Sequence, residues 1–297
     1  MFEASRVWLI TGSTSGFGFR LVILALACGD RVIATARSLD KLENLVSSCK
    51  PDVRENLRTV QLDVTEGVKA ITDKVNKAAA IWGRIDVVVN NAGNGLPGIV
   101  EEAGSSLLRR QFDTNFFGMM DVTSATLPHL RASPSACLVI IGSRSAWKTE
   151  IIGIGPYAAS KAAVHALTET LTLELAPFNI RVLLVEPGAF MTEGIYGQPF
   201  FTSNPIPAYD DMRAASKARF ASVAGTEKGD PNKAMQVVVD VVRGEGVAKG
   251  RPWPGYLVLG EDAENDVRTK CSKVLKVLDE WVDVARGVNF DNLSVNH

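Results

Sequence analysis

The chain is short of most features that mark a secreted, metal-binding or nucleic-acid-binding protein. Among its 297 residues are four cysteines, Cys28, Cys49, Cys137 and Cys271, and none forms a Cys-x-x-Cys pair. Such usage argues against a disulfide framework or a zinc site and fits reduced thiols. The three histidines, His129, His165 and His297, make no metal-spaced cluster, so no metal is expected. His165 reads as a helix-face residue rather than a base. An excess of one charge is missing too: the formal net charge is -1, with no basic block and no acidic tail. That argues against nucleic acid as a partner. No apolar run reaches membrane-spanning length, and Met-Phe-Glu-Ala-Ser-Arg is too short and polar for a signal peptide. The last residues, Leu-Ser-Val-Asn-His, carry no retention or peroxisomal signal. A soluble cytoplasmic protein is the expectation. Repeats and low-complexity linkers are absent, which favours one domain over residues 1–297.

What the chain does have is a 46% hydrophobic composition and a regular alternation of short apolar runs with helical stretches. Apolar runs at 7–10, 31–37, 57–64, 85–89, 138–142, 180–185 and 256–259 read as strands. Helical patterns fill 19–27, 38–49, 65–82, 103–130, the segment around Tyr157, 231–243 and 263–286. Strand alternating with helix predicts an α/β fold with a parallel, doubly wound sheet. Residues 193 to 230 break the rhythm with Tyr196, Phe200, Phe201, Tyr209, Phe220 and three prolines. That stretch reads as an insertion shaping a substrate site, a lid rather than a second domain. Residues 263–297 read as a C-terminal helical extension.

The first strand runs straight into Thr11-Gly12-Ser13-Thr14-Ser15-Gly16-Phe17-Gly18 and then a helix. Glycines there let the backbone turn tightly and approach a pyrophosphate, which the helix N-terminus then faces. The second strand ends in Ala36-Arg37, where a dinucleotide's adenosine ribose would lie. A guanidinium matches a 2′-phosphate in charge and geometry, so NADPH is expected over NADH. Asp63 stands at the end of the third strand, placed for an adenine amino group. After the fourth strand comes Asn90-Asn91-Ala92-Gly93, small enough to admit a ribose, with Asn90 able to brace the strands on either side.

Tyr157 and Lys161 lie four residues apart, on one face of a helix. A phenol's reference pKa of about 10 is too high for ready proton exchange, and an ammonium one turn away favours the phenolate. The pair reads as a tuned general acid/base. Asn115 sits in the middle of the long helical stretch, where asparagine is unfavourable. Ser143 and Ser145 flank Arg144 just after the fifth strand.

Thr11-Gly12-x-x-x-Gly16-x-Gly18, Asp63, Asn90-Asn91-Ala92-Gly93, Asn115, Ser143, Tyr157-x-x-x-Lys161 and Pro187-Gly188 with Thr192 together resemble the short-chain dehydrogenase/reductase family, over about residues 5 to 260. The texture is similar to that of fungal members. The resemblance implies a Rossmann-like sheet of seven strands in the order 3-2-1-4-5-6-7 with helices on both faces. It implies hydride exchange between NADP(H) and a ketone or secondary alcohol, with Asn115, Ser143, Tyr157 and Lys161 catalytic. It implies a cofactor held by Gly12, Ser13, Ser15, Gly16, Phe17, Gly18, Arg37, Asp63, Val64, Asn90, Ala92, Gly93, Tyr157, Lys161, Pro187, Gly188 and Thr192. Homodimers or homotetramers pairing through the helices around Asn115 and Tyr157 are implied as well.

There are departures. The family places its serine thirteen residues before the tyrosine, and that position is Arg144 here. Ser143 is favoured, with Ser145 the alternative. Arg144 is either a bystander or a contact for a substrate carboxylate. Phe17 stands where a smaller aliphatic residue is usual, most simply for packing. Trp147, Phe190, Met191, Tyr196, Phe200 and Phe201 suggest an apolar substrate, unless they only close the lid onto the core. A cofactor sensor, or a non-redox dehydration or cyclisation, is the competing reading.

Overall fold

The computed structural model describes residues 5–193, 198–223 and 225–290. Seven strands form one sheet: β1 (Val7–Ile10), β2 (Arg31–Ala36), β3 (Leu57–Gln61), β4 (Val87–Asn90), β5 (Cys137–Ile141), β6 (Arg181–Pro187) and β7 (Tyr256–Leu259). Their order is β3-β2-β1-β4-β5-β6-β7, and every pairing is parallel. The fold is the Rossmann-like one expected. β1, β4 and β5 are buried at every position, because helices cover both faces of the sheet.

Among the described residues ten α-helices flank the sheet: α1 (Gly16–Ala27), α2 (Leu39–Ser48), α3 (Val68–Trp82), α4 (Val100–Phe112), α5 (Gly118–Arg131), α6 (Gly155–Leu175), α7 (Asp210–Val223), α8 (Pro231–Arg243), α9 (Glu261–Glu280) and α10 (Val282–Arg286). Local chemistry sets their ends. Ser38 caps α2 by accepting from the Lys41 N–H, and Asp230 with Pro231 starts α8. Two apolar clusters sandwich the sheet. One joins Leu21, Val22, Leu42, Met235 and Val238 of α1, α2 and α8 to inward residues such as Ile10 and Val89. The other joins Ile71, Val75, Val122 and Val164 of α3, α5 and α6 to residues such as Leu9 and Val88. Alternate strand residues supply the two faces.

Three local expectations are corrected. The third strand stops at Gln61, so Asp63 and Val64 belong to the following turn rather than to a strand running to 64. The helical stretch 103–130 is two helices, α4 and α5, joined by a π-helical turn over Asp113–Phe117 that contains Asn115. The C-terminal helix begins at Glu261 and is interrupted at Trp281. Of the residues read as an insertion, Tyr196 lies outside those described.

Candidate active site

In a parallel sheet all strands deliver their C-terminal ends to one edge, and the candidate residues gather there. At the end of β1, the Thr11 hydroxyl oxygen accepts from the N–H groups of Asn91 (3.0 Å) and Ala92 (2.9 Å). Asn91 Nδ2 donates back to the carbonyls of Thr11 (2.8 Å) and Gly12 (3.0 Å). The bracing expected of Asn90 is therefore done by Asn91. Side chains alternate along a strand, so Asn90 points into the helix layer and donates to Thr123 Oγ1 at 2.8 Å.

Gly12 and Gly16 adopt φ of +65° and +56°, the left-handed region open to glycine. Gly18 is pressed against the turn, and a Cβ there would overlap the Gly12 carbonyl and Asn91 Nδ2. Ser13 is wholly buried, donating to the Ile10 carbonyl at 2.7 Å and accepting from the Thr35 N–H at 3.1 Å. Ser15 is exposed at the entry to α1 and makes no side-chain cap. Phe17 packs edge-on against Phe190, with ring centroids 5.6 Å apart.

The N-terminus of α1 already holds an anion. The Gly16 N–H donates to Glu193 Oε2 at 3.0 Å, and Arg20 pairs with the same carboxylate at 2.9 Å. The Arg20 bond chiefly, with the Gly16 N–H helping, pushes the Glu193 carboxyl down to about 2. Thr192 lies over this turn, its Cβ 3.8 Å from where a Gly16 Cβ would stand. Arg37 is exposed just past β2. Asp63 Oδ1 accepts from the Thr65 N–H (3.0 Å) and hydroxyl (2.8 Å). Burial opposes ionisation of Asp63, but the Thr65 bonds and the charges of Arg37 and Lys74 outweigh it, and its pKa is lowered. Val64 is buried against Gly118 at the start of α5.

Tyr157 and Lys161 stand one turn apart near the start of α6. Lys161 is buried, its Nζ donating to the Ile141 carbonyl at 2.7 Å and lying 6.0 Å from the Tyr157 ring centre. The Ser145 N–H donates to Ser143 Oγ at 3.1 Å, and the Ser143 side chain faces the Tyr157 phenol closely enough to favour its ionised form. Burial raises the phenol above its ordinary pKa, against the Ser143 side chain, and pulls Lys161 down to about 8. The expected direction for Tyr157 is thus reversed in the chain itself. Lys161 is buried and Tyr157 half-buried beside it, and desolvation penalises the charged form of each.

Asn115 reaches the same place from the π-helical turn. Its Oδ1 accepts from the Asn94 N–H at 3.0 Å, and its Nδ2 donates to the Asn94 carbonyl (2.9 Å) and Ser160 Oγ (3.1 Å). Gly93 separates it from Lys161: a Cβ there would be 3.2 Å from Asn115 Oδ1 and 3.8 Å from Lys161 Nζ. On the other side, Pro187 ends β6, and the Gly188 N–H donates to the Leu259 carbonyl at 2.8 Å.

A family model described as short chain dehydrogenase matches residues 6–196. The chain belongs to the short-chain dehydrogenase family. It is 32% identical over 291 residues to an uncharacterised oxidoreductase of Schizosaccharomyces pombe, covering 97% of this chain and 94% of that one. It is 37% identical over 196 residues to human retinol dehydrogenase 8, covering 65% and 61%. A solved short-chain dehydrogenase of Streptomyces avermitilis superposes with a TM-score of 0.82 at 36% identity, covering 97% and 100%.

Several residues of this family member have contacts at the site that the sequence did not reveal. Arg144 is bound by Asp262 (3.0 Å) and Asp266 (2.9 Å) of α9, so its charge is already matched from within the chain. Asp262 also accepts from the Ala189 N–H at 2.8 Å, tying the serine loop and the loop after β6 to one carboxylate. His165, read as an ordinary helix-face residue, is buried behind Ser143 together with Glu186. An acid inside the apolar run before Pro187 was the one available signal. Glu193 offered none. Among the described residues, no helix is long and apolar enough to cross a membrane.

Proposed function

We propose that this oxidoreductase is an NADPH-dependent carbonyl reductase or alcohol dehydrogenase acting on a ketone or secondary alcohol. The observation that carries the reading is the cluster of Tyr157, neighbouring Ser143, buried Lys161 and Asn115 at the sheet edge, beside the glycine turn. The cradle fits a dinucleotide. The α1 N-terminus takes an anion, as the Glu193 carboxylate demonstrates, and the overlap a Cβ would make at Gly18 shows how closely that turn is packed.

In this reading the turn from Gly12 to Gly18, with Ser15 exposed at the entry to α1, holds the pyrophosphate, while buried Ser13 and the Phe17 ring brace the turn from behind rather than touch it as expected. Arg37 holds the 2′-phosphate, and Asp63 with Val64 flanks the adenine. Ala92, Gly93, Tyr157 and Lys161 line the ribose, with Asn90 turned into the helix layer behind them rather than toward it, and Pro187, Gly188 and Thr192 line the carboxamide. The cofactor, when bound, supplies or accepts the hydride. Tyr157 gives its phenolic proton to the carbonyl oxygen, and Ser143 donates a hydrogen bond that stabilises charge growing there. Lys161, pulled down to about 8 by burial, is a proton source matched to near-neutral pH. Asn115 links it to solvent through an ordered water. In the oxidative direction Tyr157 is the base.

Residues 193–230 act as a lid within a single catalytic domain. Support comes from Arg213 of α7, paired at 2.5 Å with buried Glu102 of α4, and from Phe201 packed against Leu96 and Leu107. Phe200 and Phe220 meet edge to face beside Gly153. These aromatics favour an apolar substrate, in keeping with the name of the retinol dehydrogenase relative. Exposed Phe117 and Leu173 support association of the α5 and α6 helices into a dimer or tetramer.

The reading is tested by following NADPH oxidation against a panel of apolar ketones and aldehydes, with NADH in parallel. Turnover with NADPH and little with NADH is expected. Tight NADPH binding without turnover on any carbonyl would favour a sensor or a non-redox enzyme. Arg37→Ser is expected to cost about 1.5–3 kcal/mol, a charged hydrogen bond's worth, and so to raise KM for NADPH about 10- to 150-fold while leaving KM for NADH unchanged. Glu193→Gln is expected to tighten NADPH binding about 2- to 5-fold in a fluorescence titration at low salt, because an anion that must be displaced from the helix N-terminus is gone.

A further inference from the structure

Behind Ser143 lies a buried polar pair that the proposed reaction does not use. The Ser143 N–H donates to His165 Nε2 at 3.2 Å, so Nε2 carries the lone pair and the ring proton sits on Nδ1. Nδ1 is 3.5 Å from Glu186 Oε1. The other oxygen of that carboxyl, Oε2, accepts from Trp147 Nε1 at 2.8 Å, while buried Oε1 has no hydrogen-bond partner. His165 is 6% exposed and Glu186 0%. Gly142 leaves room for the imidazole, since a Cβ there would overlap His165 Nε2. A line of groups therefore runs from a buried carboxyl, through an imidazole, to the backbone of the candidate catalytic serine.

The carboxyl is the member that titrates near neutrality. Burial, then the Lys161 charge, pulls His165 down to about 4, so its ring stays neutral at working pH. Burial pushes Glu186 up to about 7, with the Trp147 bond opposing and the Glu169 charge adding. An ionised Glu186 favours the Nδ1–H tautomer, which leaves Nε2 free for the Ser143 N–H. A protonated Glu186 behaves differently. Oε2 is already an acceptor for Trp147, so the proton goes to Oε1 and faces Nδ1. Two protons do not fit in that contact. The ring proton shifts to Nε2, where it confronts the Ser143 N–H donor to donor.

The geometry points to Glu186 and His165 as a proton-sensitive support beneath Ser143, holding the serine for Tyr157 when the carboxyl is ionised and releasing it when the carboxyl is protonated. Both are positioning residues. The inference rests on the proposed role of Ser143. Other titratable or charged groups that act on the pair are Lys161 and Glu169 of α6 and Tyr256 of β7. Arg144, with Asp262 and Asp266, flanks the serine loop from α9.

Two readouts on the full chain test the inference. The first needs no substrate: the Ser143 amide and the His165 ring nitrogens are followed by ¹⁵N NMR through neutral pH. Both are expected to shift with a midpoint of about 7 without the ring becoming imidazolium. Glu186→Gln, whose amide donates toward Nδ1, is expected to remove that transition and leave only Lys161 titrating at about 8. The second readout is kcat against pH, expected to rise about tenfold through the same midpoint at constant KM for NADPH, since small misplacements of catalytic groups cost that much or more. Glu186→Gln is expected to stay near the acid plateau. Should that variant not fold, Trp147→Phe serves: it removes a donor to the carboxylate and moves the midpoint upward. A Ser143 amide that is flat through neutral pH, or that shifts equally in Glu186→Gln, overturns the inference. So does a kcat limb that Glu186→Gln leaves in place. A Glu186-dependent amide shift in a protein that turns over no carbonyl supports the pair and rejects the reductase reading.

Discussion

Tyr157→Phe is expected to lower carbonyl turnover about a thousandfold while changing the dissociation constant for NADPH less than about twofold, because a positioned general acid contributes roughly 10²- to 10⁴-fold. The substitution removes one oxygen and little packing. The ring lies against Gly95, where an added Cβ would be 3.6 Å from Tyr157 Cδ2, and phenylalanine keeps that contact. Ser143 loses the phenol as a neighbour but still accepts from the Ser145 N–H. Lys161 keeps its bond to the Ile141 carbonyl and stays in place to meet a ribose. Single-turnover absorbance measures the chemical step, and a fluorescence titration measures binding. Turnover near the level of the unmodified protein would remove Tyr157 from the acid role. A parallel loss of NADPH binding would mean that the phenol was needed for the cradle and not for the proton.

Gly18→Ala is expected to destabilise the fold by about 3 kcal/mol, the upper end of ordinary overpacking costs, and to abolish tight NADPH binding. The new methyl would overlap the Gly12 carbonyl oxygen and Asn91 Nδ2. Neither neighbour can easily yield. Gly12 is backbone in a turn at φ +65°, and Asn91 is fixed by bonds to the carbonyls of Thr11 and Gly12. The start of α1 must therefore back away from the turn, and the proposed pyrophosphate site goes with it. Gly255→Ala is the control, since nothing lies within 4 Å of a Cβ there. Thermal melts of the two variants, read with and without NADPH, separate the outcomes. A Gly18→Ala protein that melts and binds as the parent does would show that the turn is looser than this packing implies.

The pattern of short apolar runs separated by helical stretches was legible because the central strands bury both faces and an amphipathic helix one, and these produce different spacings along the chain. The glycine turn was legible because a strand, a tight turn and a helix in succession need glycine where the backbone is left-handed or crowded. Tyr157 and Lys161 were legible because four residues is one helical turn. Where the reading failed, the missing quantity was a partner distant in the chain. Asn90 and Asn91 are neighbours of like chemistry, and only their orientation in β4 gives the bracing role to Asn91. The π-helical turn at Asn115 depends on Asn94 and Ser160, which lie 21 and 45 residues away.

The sequence by itself determined the alternation of strands and helices and, through the motifs that carry the family resemblance, the sheet order; it marked the glycine turn and the Tyr157–Lys161 pair as candidates, because local spacing and residue type are enough for that. The tertiary structure alone decided the electrostatics of the site. Burial reverses the direction in which Tyr157 was expected to shift and brings Lys161 to about 8. The fold spends Arg144 on Asp262 and Asp266, sets Glu193 at the N-terminus of α1, and stacks Glu186 and His165 beneath Ser143. These are contacts across 122, 177 and 22 residues of chain. Charge and desolvation act through space, so they exist only once the chain has brought those groups together.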